Sequence, residues 1–199
     1  MICSFITGIA KRLQGKFEAF RAQKLSIFYR GIIERGQKVL DLGSGSGHIA
    51  QQIIKDHDAE VTCVDVVNYN RTNLSLVIYD GRNLPLKDAS FDVVLLFFVL
   101  HHASDPIQVL KESVRTLRVG GTIIILEDIY NSRFECLAIK ILDRIYNQSL
   151  DHVATPFCFR NAEEWERVFA GSNLAIASKR FFRCLYPPTI RNVQFVLTK

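Results

Sequence analysis

The chain has 199 residues, of which 48% are hydrophobic and 23% charged, with a formal net charge of +5. That length suits one domain with a continuous core, and the longest apolar run, residues 93–100, falls far short of the roughly 20 residues a membrane-spanning helix needs. Five scattered cysteines at 3, 63, 136, 158 and 184, with no C-x-x-C pair, fit reduced thiols and a cytoplasmic location better than a disulfide framework or a zinc site.

Residues 1–40 hold eight Lys or Arg against Glu18 and Glu34, so the positive charge is concentrated there and the remainder is about neutral. Ile2, Phe5, Ile6, Ile9, Leu13, Phe17 and Phe20 recur at helical spacing. Gly8 and Gly15, each costing roughly 1 kcal/mol against Ala, predict a break or fraying near them. A second helical stretch, residues 17–34, would end at Gly36 as a C-cap. The start is apolar, but it lacks an early positive charge and Lys11-Arg12 cut it short, so it reads poorly as a signal peptide. The apolar face of these helices is expected to pack on a sheet or over a pocket. Weak contact of the basic segment with a membrane surface is the minority alternative.

Residues 39–47 then read strand, Gly-rich turn and, from 46 to 56, amphipathic helix. Glycine permits a sharp turn and close approach of a ligand to the backbone, so the loop reads as the floor of a nucleotide-type pocket. The glycines run 43, 45, 47, and position 48 is His, so the dinucleotide pattern G-x-G-x-x-G is not met. Asp41 stands two residues before Gly43, at the strand end. A carboxylate there repels a pyrophosphate and attracts a ligand carrying an ammonium and a sulfonium, which favours S-adenosylmethionine (SAM) over NAD. On these residues the chain resembles the class I SAM-dependent methyltransferases, whose first motif is a hydrophobic strand, an acid and G-x-G-x-G.

A β-branched strand at 61–66 ends near Asp65, eighteen residues past Gly47, the place of an acid that bonds the ribose hydroxyls of an adenosine ligand. A third strand at 74–79 leads into Asp80-Gly81. The resemblance implies that Asp80 contacts the adenine amino group; the residues alone also allow a turn-forming Asp-Gly pair. Only residues 68–73 separate these strands, so the crossover helix usual in the family must be a bare loop. The evenly apolar strand at 93–99 reads as buried on both faces of a parallel sheet. The run from Leu84 through Phe91 to His101-His102-Ala103-Ser104-Asp105-Pro106 is similar to the type-11 branch of that family. A helix at 107–117 and a fifth strand at 122–126 follow.

Phe134, Leu137, Ala138, Ile141, Leu142 and Ile145 form another amphipathic pattern, followed by Pro156, Phe157 and Phe159. Asn161 and Glu164 are spaced as a capping box for a helix through Phe169. Residues 175–183 and 193–198 read as the last strands, the final one antiparallel as the resemblance implies. The expected architecture is one α/β domain over 1–199, a Rossmann-like, doubly wound, mostly parallel seven-stranded sheet with a helical insertion after the fifth strand. Its parts would be N-terminal helices at 1–36, a SAM-binding core at 37–128, a substrate-covering insertion and helix at 129–172, and final strands at 173–199.

The residues expected at the cofactor are Asp41, Gly43, Ser44, Gly45, Gly47, Asp65, Asp80, Gly81, Phe97 and Phe98. His101 and His102 are the candidate general bases, with capping of the strand end as their other reading. Leu137, Ile141 and Ile145, with Phe157 and Phe159, would form an apolar lid over a small organic methyl acceptor. The insertion is not strongly basic, so nucleic acid is not expected. The histidines at 48, 57, 101, 102 and 152 show no metal-ligand spacing, so no metal is expected. The rivals are a non-catalytic SAM-binding or scaffolding protein with the same fold, and a nicotinamide-dependent enzyme.

Overall fold

The structure, a computed structural model, describes residues 2–148, 156–172, 174–183 and 190–199, the side chains of 2–13 and 145–148 excepted. Helix α1 (Ile2–Leu25) runs through Gly8 and Gly15 without the expected break. A penalty of roughly 1 kcal/mol per glycine is too small to interrupt a long, cooperative helix, and a Cβ at Gly15 would meet nothing within 4 Å. The chain breaks instead at the 3-10 turn Ser26–Phe28, where the Ser26 hydroxyl donates to the Gln23 carbonyl at 2.7 Å.

Seven strands follow in one sheet: β1 (Lys38–Leu42), β2 (Glu60–Asp65), β3 (Leu76–Ile78), β4 (Phe91–Phe97), β5 (Leu117–Ile129), β6 (Ala175–Arg183) and β7 (Arg191–Thr198). Their order is β3-β2-β1-β4-β5-β7-β6, with β7 antiparallel to both of its neighbours and the other pairs parallel. The order in which strands are added, outward from β1 to β3 and then outward the other way from β4, therefore reverses between β1 and β4, the switch point at which ligands bind in open α/β sheets.

Alternation along the central strands divides the core in two. Val39, Val93, Leu95, Ile124 and Leu126 pack with Leu25, Phe28, Tyr29 and Ile53, the last on helix α2 (His48–His57). Leu40, Leu42, Val94, Leu96, Ile123 and Ile125 pack with Val109 and Leu110 of helix α3 (Pro106–Thr116) and with Trp165 and Phe169 of helix α5 (Ala162–Ala170). Both faces being covered explains why β4 and β5 read as apolar runs. The capping box holds α5 as the spacing predicts: Glu164 N–H donates to Asn161 Oδ1 at 2.9 Å, and Asn161 N–H to Glu164 Oε2 at 2.8 Å.

The β2–β3 connection is the bare loop expected, and Asn70 and Thr72 hold it. Asn70 Nδ2 donates to the Leu74 carbonyl at 2.5 Å, and Thr72 donates through N–H and hydroxyl to Asn70 Oδ1 at 2.9 and 2.8 Å. At the opposite edge β6 is exposed along nearly its whole length. Lys179, Arg180 and Arg183, with a register shift between Ile176 and Ser178, keep that edge from pairing with another chain. Helix α4 (Arg133–Gln148) follows β5 at the carboxyl end of the sheet.

Candidate functional site

The loop between β1 and α2 is set by its glycines, and they are not equivalent. A Cβ on Gly43 would lie 2.4 Å from Val99 Cγ2, and one on Gly47 would lie 2.7 Å from Thr72 Oγ1 and 2.8 Å from Asn70 Oδ1. These two are packing glycines, closed by the chain after β4 and by the β2–β3 loop. Gly45, at φ +50°, has nothing within 4 Å of that position. It is the glycine of the three whose face a ligand can approach.

Asp41 lies beneath this loop and almost wholly buried. Burial, and then repulsion by Asp65, push its carboxyl up to about 7, while the Ala50 N–H at the start of α2 pulls the other way. Its Oδ2 has no hydrogen-bond partner among the described residues. Ser44 is buried in the loop, its N–H donating to the Val64 carbonyl at 3.0 Å.

Asp65 ends β2 and ties the loop down. Its Oδ2 accepts from Gly45 N–H at 2.8 Å, and its Oδ1 from Val66 N–H at 2.7 Å and Val67 N–H at 3.3 Å. A carboxylate oxygen accepts about two bonds, so Oδ2 retains capacity toward the open side of Gly45. Asp80 is exposed and turned onto its own loop, Oδ1 accepting from Arg82 and Asn83 N–H at 2.8 and 2.7 Å. These bonds hold its carboxyl below the usual range. The turn-forming role is the one its geometry displays, with Gly81 at φ +77° beside it.

Phe97 points into the core, its ring 6.5 Å from that of Tyr29, and does not stand on a pocket wall as the sequence suggests. Phe98 turns the chain out of β4 at φ +60°, a conformation costly for a bulky residue. Its N–H donates to the Leu126 carbonyl at 2.7 Å, and the Arg21 guanidinium of α1 lies 5.0 Å from its ring centre.

The two histidines separate in role. His101 is fully buried; its Nδ1 donates to Glu127 Oε2 at 2.5 Å, and its ring stacks on Phe159 at 4.6 Å. Glu127 Oε1 accepts from Val99 and Leu100 N–H at 3.2 and 2.7 Å. Burial acts to lower the His101 pKa, but the charge and hydrogen bond of Glu127 outweigh it and bring it to about 9. His101 is thus an imidazolium in a buried ion pair. His102, only partly accessible, is pushed down to about 3 by burial and by that neighbouring imidazolium. It stays neutral and is a weak proton acceptor.

Elements far apart in the chain complete the rim. From α1, Gln14 Nε2 donates to Tyr69 Oη at 3.1 Å, and Arg71 Nη1 donates to Gln14 Oε1 at 2.9 Å. Glu18, one turn on, lies 3.6 Å from His48 Nδ1 beside the loop. Gln14, Glu18 and Arg21, at i, i+4 and i+7, form a polar stripe over the strand ends, a spacing visible in the sequence but masked by the apolar pattern around it. Asp128, half-buried at the end of β5, accepts from Asn192 Nδ2. Burial raises its carboxyl to about 6, against the charge of His101.

From α4, Asp143 approaches His102 Nε2 at 3.6 Å. Among the described residues, donor atoms of His101, His102 and Asp143 lie within 4.8 Å of one another. With His101 Nδ1 bonded to Glu127, Nε2 is the ring nitrogen left to face a cation. The expected lid stripe faces the other way. Leu137 and Ile141 are exposed, Ile139 packs against Phe159 and Ile190, and the Ile145 side chain is outside the described residues. Surface cavities of about 410 and 680 Å³ flank α5 and include no residue of the glycine loop.

The methyltransferase-domain family model matches residues 40–125. A demethylmenaquinone methyltransferase of Staphylococcus saprophyticus is 27% identical over 205 residues, covering 89% of this chain and 88% of that protein. One of Beutenbergia cavernae is 33% identical over 98 residues, covering 46% of this chain and only 41% of its own length. The chain thus spans less than half of that curated relative. A SAM-dependent methyltransferase from Aquifex aeolicus superposes with a TM-score of 0.62 at 17% identity, over 88% of this chain and 93% of that one, which is a likeness of fold.

Proposed function

We propose that this chain is a class I SAM-dependent methyltransferase of the type-11 branch, which the family model and the relatives support, and that it methylates a small, partly apolar organic acceptor of the quinol class. The observation that carries this reading is the pairing of Gly45, open above the loop, with Asp41, buried below it with an oxygen unpartnered. That arrangement fits SAM, which when bound supplies a methyl group on a sulfonium with a good leaving group. Asp41 would balance the ligand's positive charge, and Asp65 Oδ2 would take a ribose hydroxyl beside Gly45. Asp80, its carboxylate committed to its own turn, is assigned no cofactor contact here. The quinol class comes from the relatives named demethylmenaquinone methyltransferase.

The chain's contribution to such a transfer is mostly positional. Holding an acceptor carbon in line with the methyl group is worth roughly 7–11 kcal/mol. The His101–Glu127 pair keeps the turn after β4 rigid, and Phe98 with Arg21 walls the reacting space. An acceptor hydroxyl must lose a proton, and a base acts best with a pKa near the working pH. Asp128, at about 6, suits that role better than His102 at about 3.

Calorimetry with SAM, S-adenosylhomocysteine and NAD, followed by turnover on reduced demethylated naphthoquinones, tests this. Binding of the first two ligands with methylated product is expected. Tight NAD binding, or SAM binding without turnover on any quinol, would overturn it in favour of the nicotinamide or the scaffolding reading.

A further inference from the structure

Helix α4 turns the usual order of an amphipathic helix inside out. Its inner face carries Ile139, which is 3% exposed, and Asp143 beside His102. Its outer face carries Phe134, Leu137 and Ile141, which are 86%, 59% and 51% exposed. These residues stand at i, i+3 and i+7, so they form one continuous stripe along the solvent side. Single exposed hydrophobic residues are ordinary on a protein surface; a stripe of large ones along one helix marks a contact surface.

Charge indicates what the stripe contacts. Arg133, Lys140 and Arg144, at i, i+7 and i+11, line one flank of it. None of the three makes an ion pair among the described residues. The acids of the helix are engaged elsewhere, Glu135 with Arg191 at 3.7 Å and Asp143 toward His102. An apolar stripe ending in Phe, flanked by unpaired cations, is the pattern of a helix lying in the headgroup region of an anionic bilayer. No helix among the described residues is long and apolar enough to cross a membrane, so the contact is to the surface.

We propose that the outer face of α4 docks this protein on an anionic lipid surface, placing the acceptor side of the site against the bilayer. The inner face of the same helix packs beside His102 and Phe159, so docking would bring an acceptor dissolved in the lipid to the rim of the site. This extends the quinol reading above, but vesicle binding is measured apart from methyl transfer, so either can fail alone.

The test is co-sedimentation of the full chain with phosphatidylcholine vesicles, with and without about one-third phosphatidylglycerol. The protein should pellet with the anionic vesicles, weakly with the neutral ones, and less as salt rises. The triple change Phe134→Ser, Leu137→Ser and Ile141→Ser should cut binding on the order of tenfold or more. Lys140→Glu with Arg144→Glu should cut it about as far on anionic vesicles alone. Both variants should retain SAM affinity, and all their changed positions are on the protein surface. Failure of the wild type to pellet would overturn the proposal. So would undiminished pelleting of the triple variant, which would move the contact to the basic α1. A dimer in sedimentation equilibrium that the triple variant dissociates would also overturn it, by assigning the stripe to a second copy.

Discussion

Two carboxylates are buried at strand ends on either side of β4, Asp41 on β1 and Glu127 on β5, and the fold treats them oppositely. Both oxygens of Glu127 are partnered, Oε1 by two backbone N–H groups and Oε2 by an imidazolium. Asp41 is left with an unpartnered oxygen and a carboxyl pushed up to about 7. A charge that the fold pairs and hydrogen-bonds holds its surroundings in place. A charge that the fold buries without a full set of partners costs stability and is kept where a ligand can complete it. Burial is common to the two carboxylates, and the count of partners is what separates them.

The sharpest way to break this contrast is Glu127→Ala. Removing one member of a buried pair strands the other, so this change should lower the unfolding free energy by about 3–5 kcal/mol in urea titration. A loss below about 1 kcal/mol would show that Glu127 is no more structural than Asp41.

The glycines offer the same contrast on the loop. Gly43→Ala drives a methyl into Val99 at positive φ and should cost about 2–3 kcal/mol of stability. Gly45→Ala meets no neighbour and carries only the strain of φ +50°, about 1 kcal/mol, so it should cost less stability than Gly43→Ala and show its larger effect on SAM affinity, read by calorimetry. Equal loss of stability in both variants would remove the distinction between packing and ligand-facing glycines.

Asp41→Asn should weaken SAM binding by about 1.5–3 kcal/mol, the worth of a charge-assisted contact. Its pH signature is specific. The folded pKa is raised from 3.8 to about 7, so the native state holds this proton more tightly than the unfolded chain does. The stability it contributes is full below about 4 and is lost as pH rises through about 7. Relative to wild type, the Asn variant should gain stability across that window. SAM affinity of the wild type should rise from about pH 6 to 7.5, as Asp41 ionises below the range where an α-ammonium titrates. Chemical denaturation and calorimetry at stepped pH measure both, and flat difference curves would detach Asp41 from the ligand.

The smallest expected effect is that of His102→Ala. A group with a pKa of about 3 contributes little as a base, so turnover should fall less than about tenfold with SAM affinity unchanged. Asp128→Asn should instead abolish the acid limb of the pH–rate profile near 6. If the limb survives in Asp128→Asn and vanishes in His102→Ala, the histidine is the proton acceptor after all.

The amino-acid sequence by itself determined what depends on neighbours along the chain. The glycine loop, the evenly apolar β4, the capping box of Asn161 and Glu164 and the missing crossover helix all rest on spacing and backbone demands that local residues meet or fail. Only the tertiary structure decided what depends on groups brought from afar. The charge states of His101 and His102, adjacent in sequence, diverge because Glu127 on another strand pairs with the first and strands the second beside a cation. Phe97 belongs to the core and Phe98 to the rim because one backbone turn at positive φ falls between them. The periodicity of α4 announced a helix with an apolar face, yet not the direction of that face. The stripe of Phe134, Leu137 and Ile141 stands exposed, and the residue of α4 that packs inward against Phe159 and Ile190 is Ile139. Periodicity is a local quantity, while burial and protonation are sums over space.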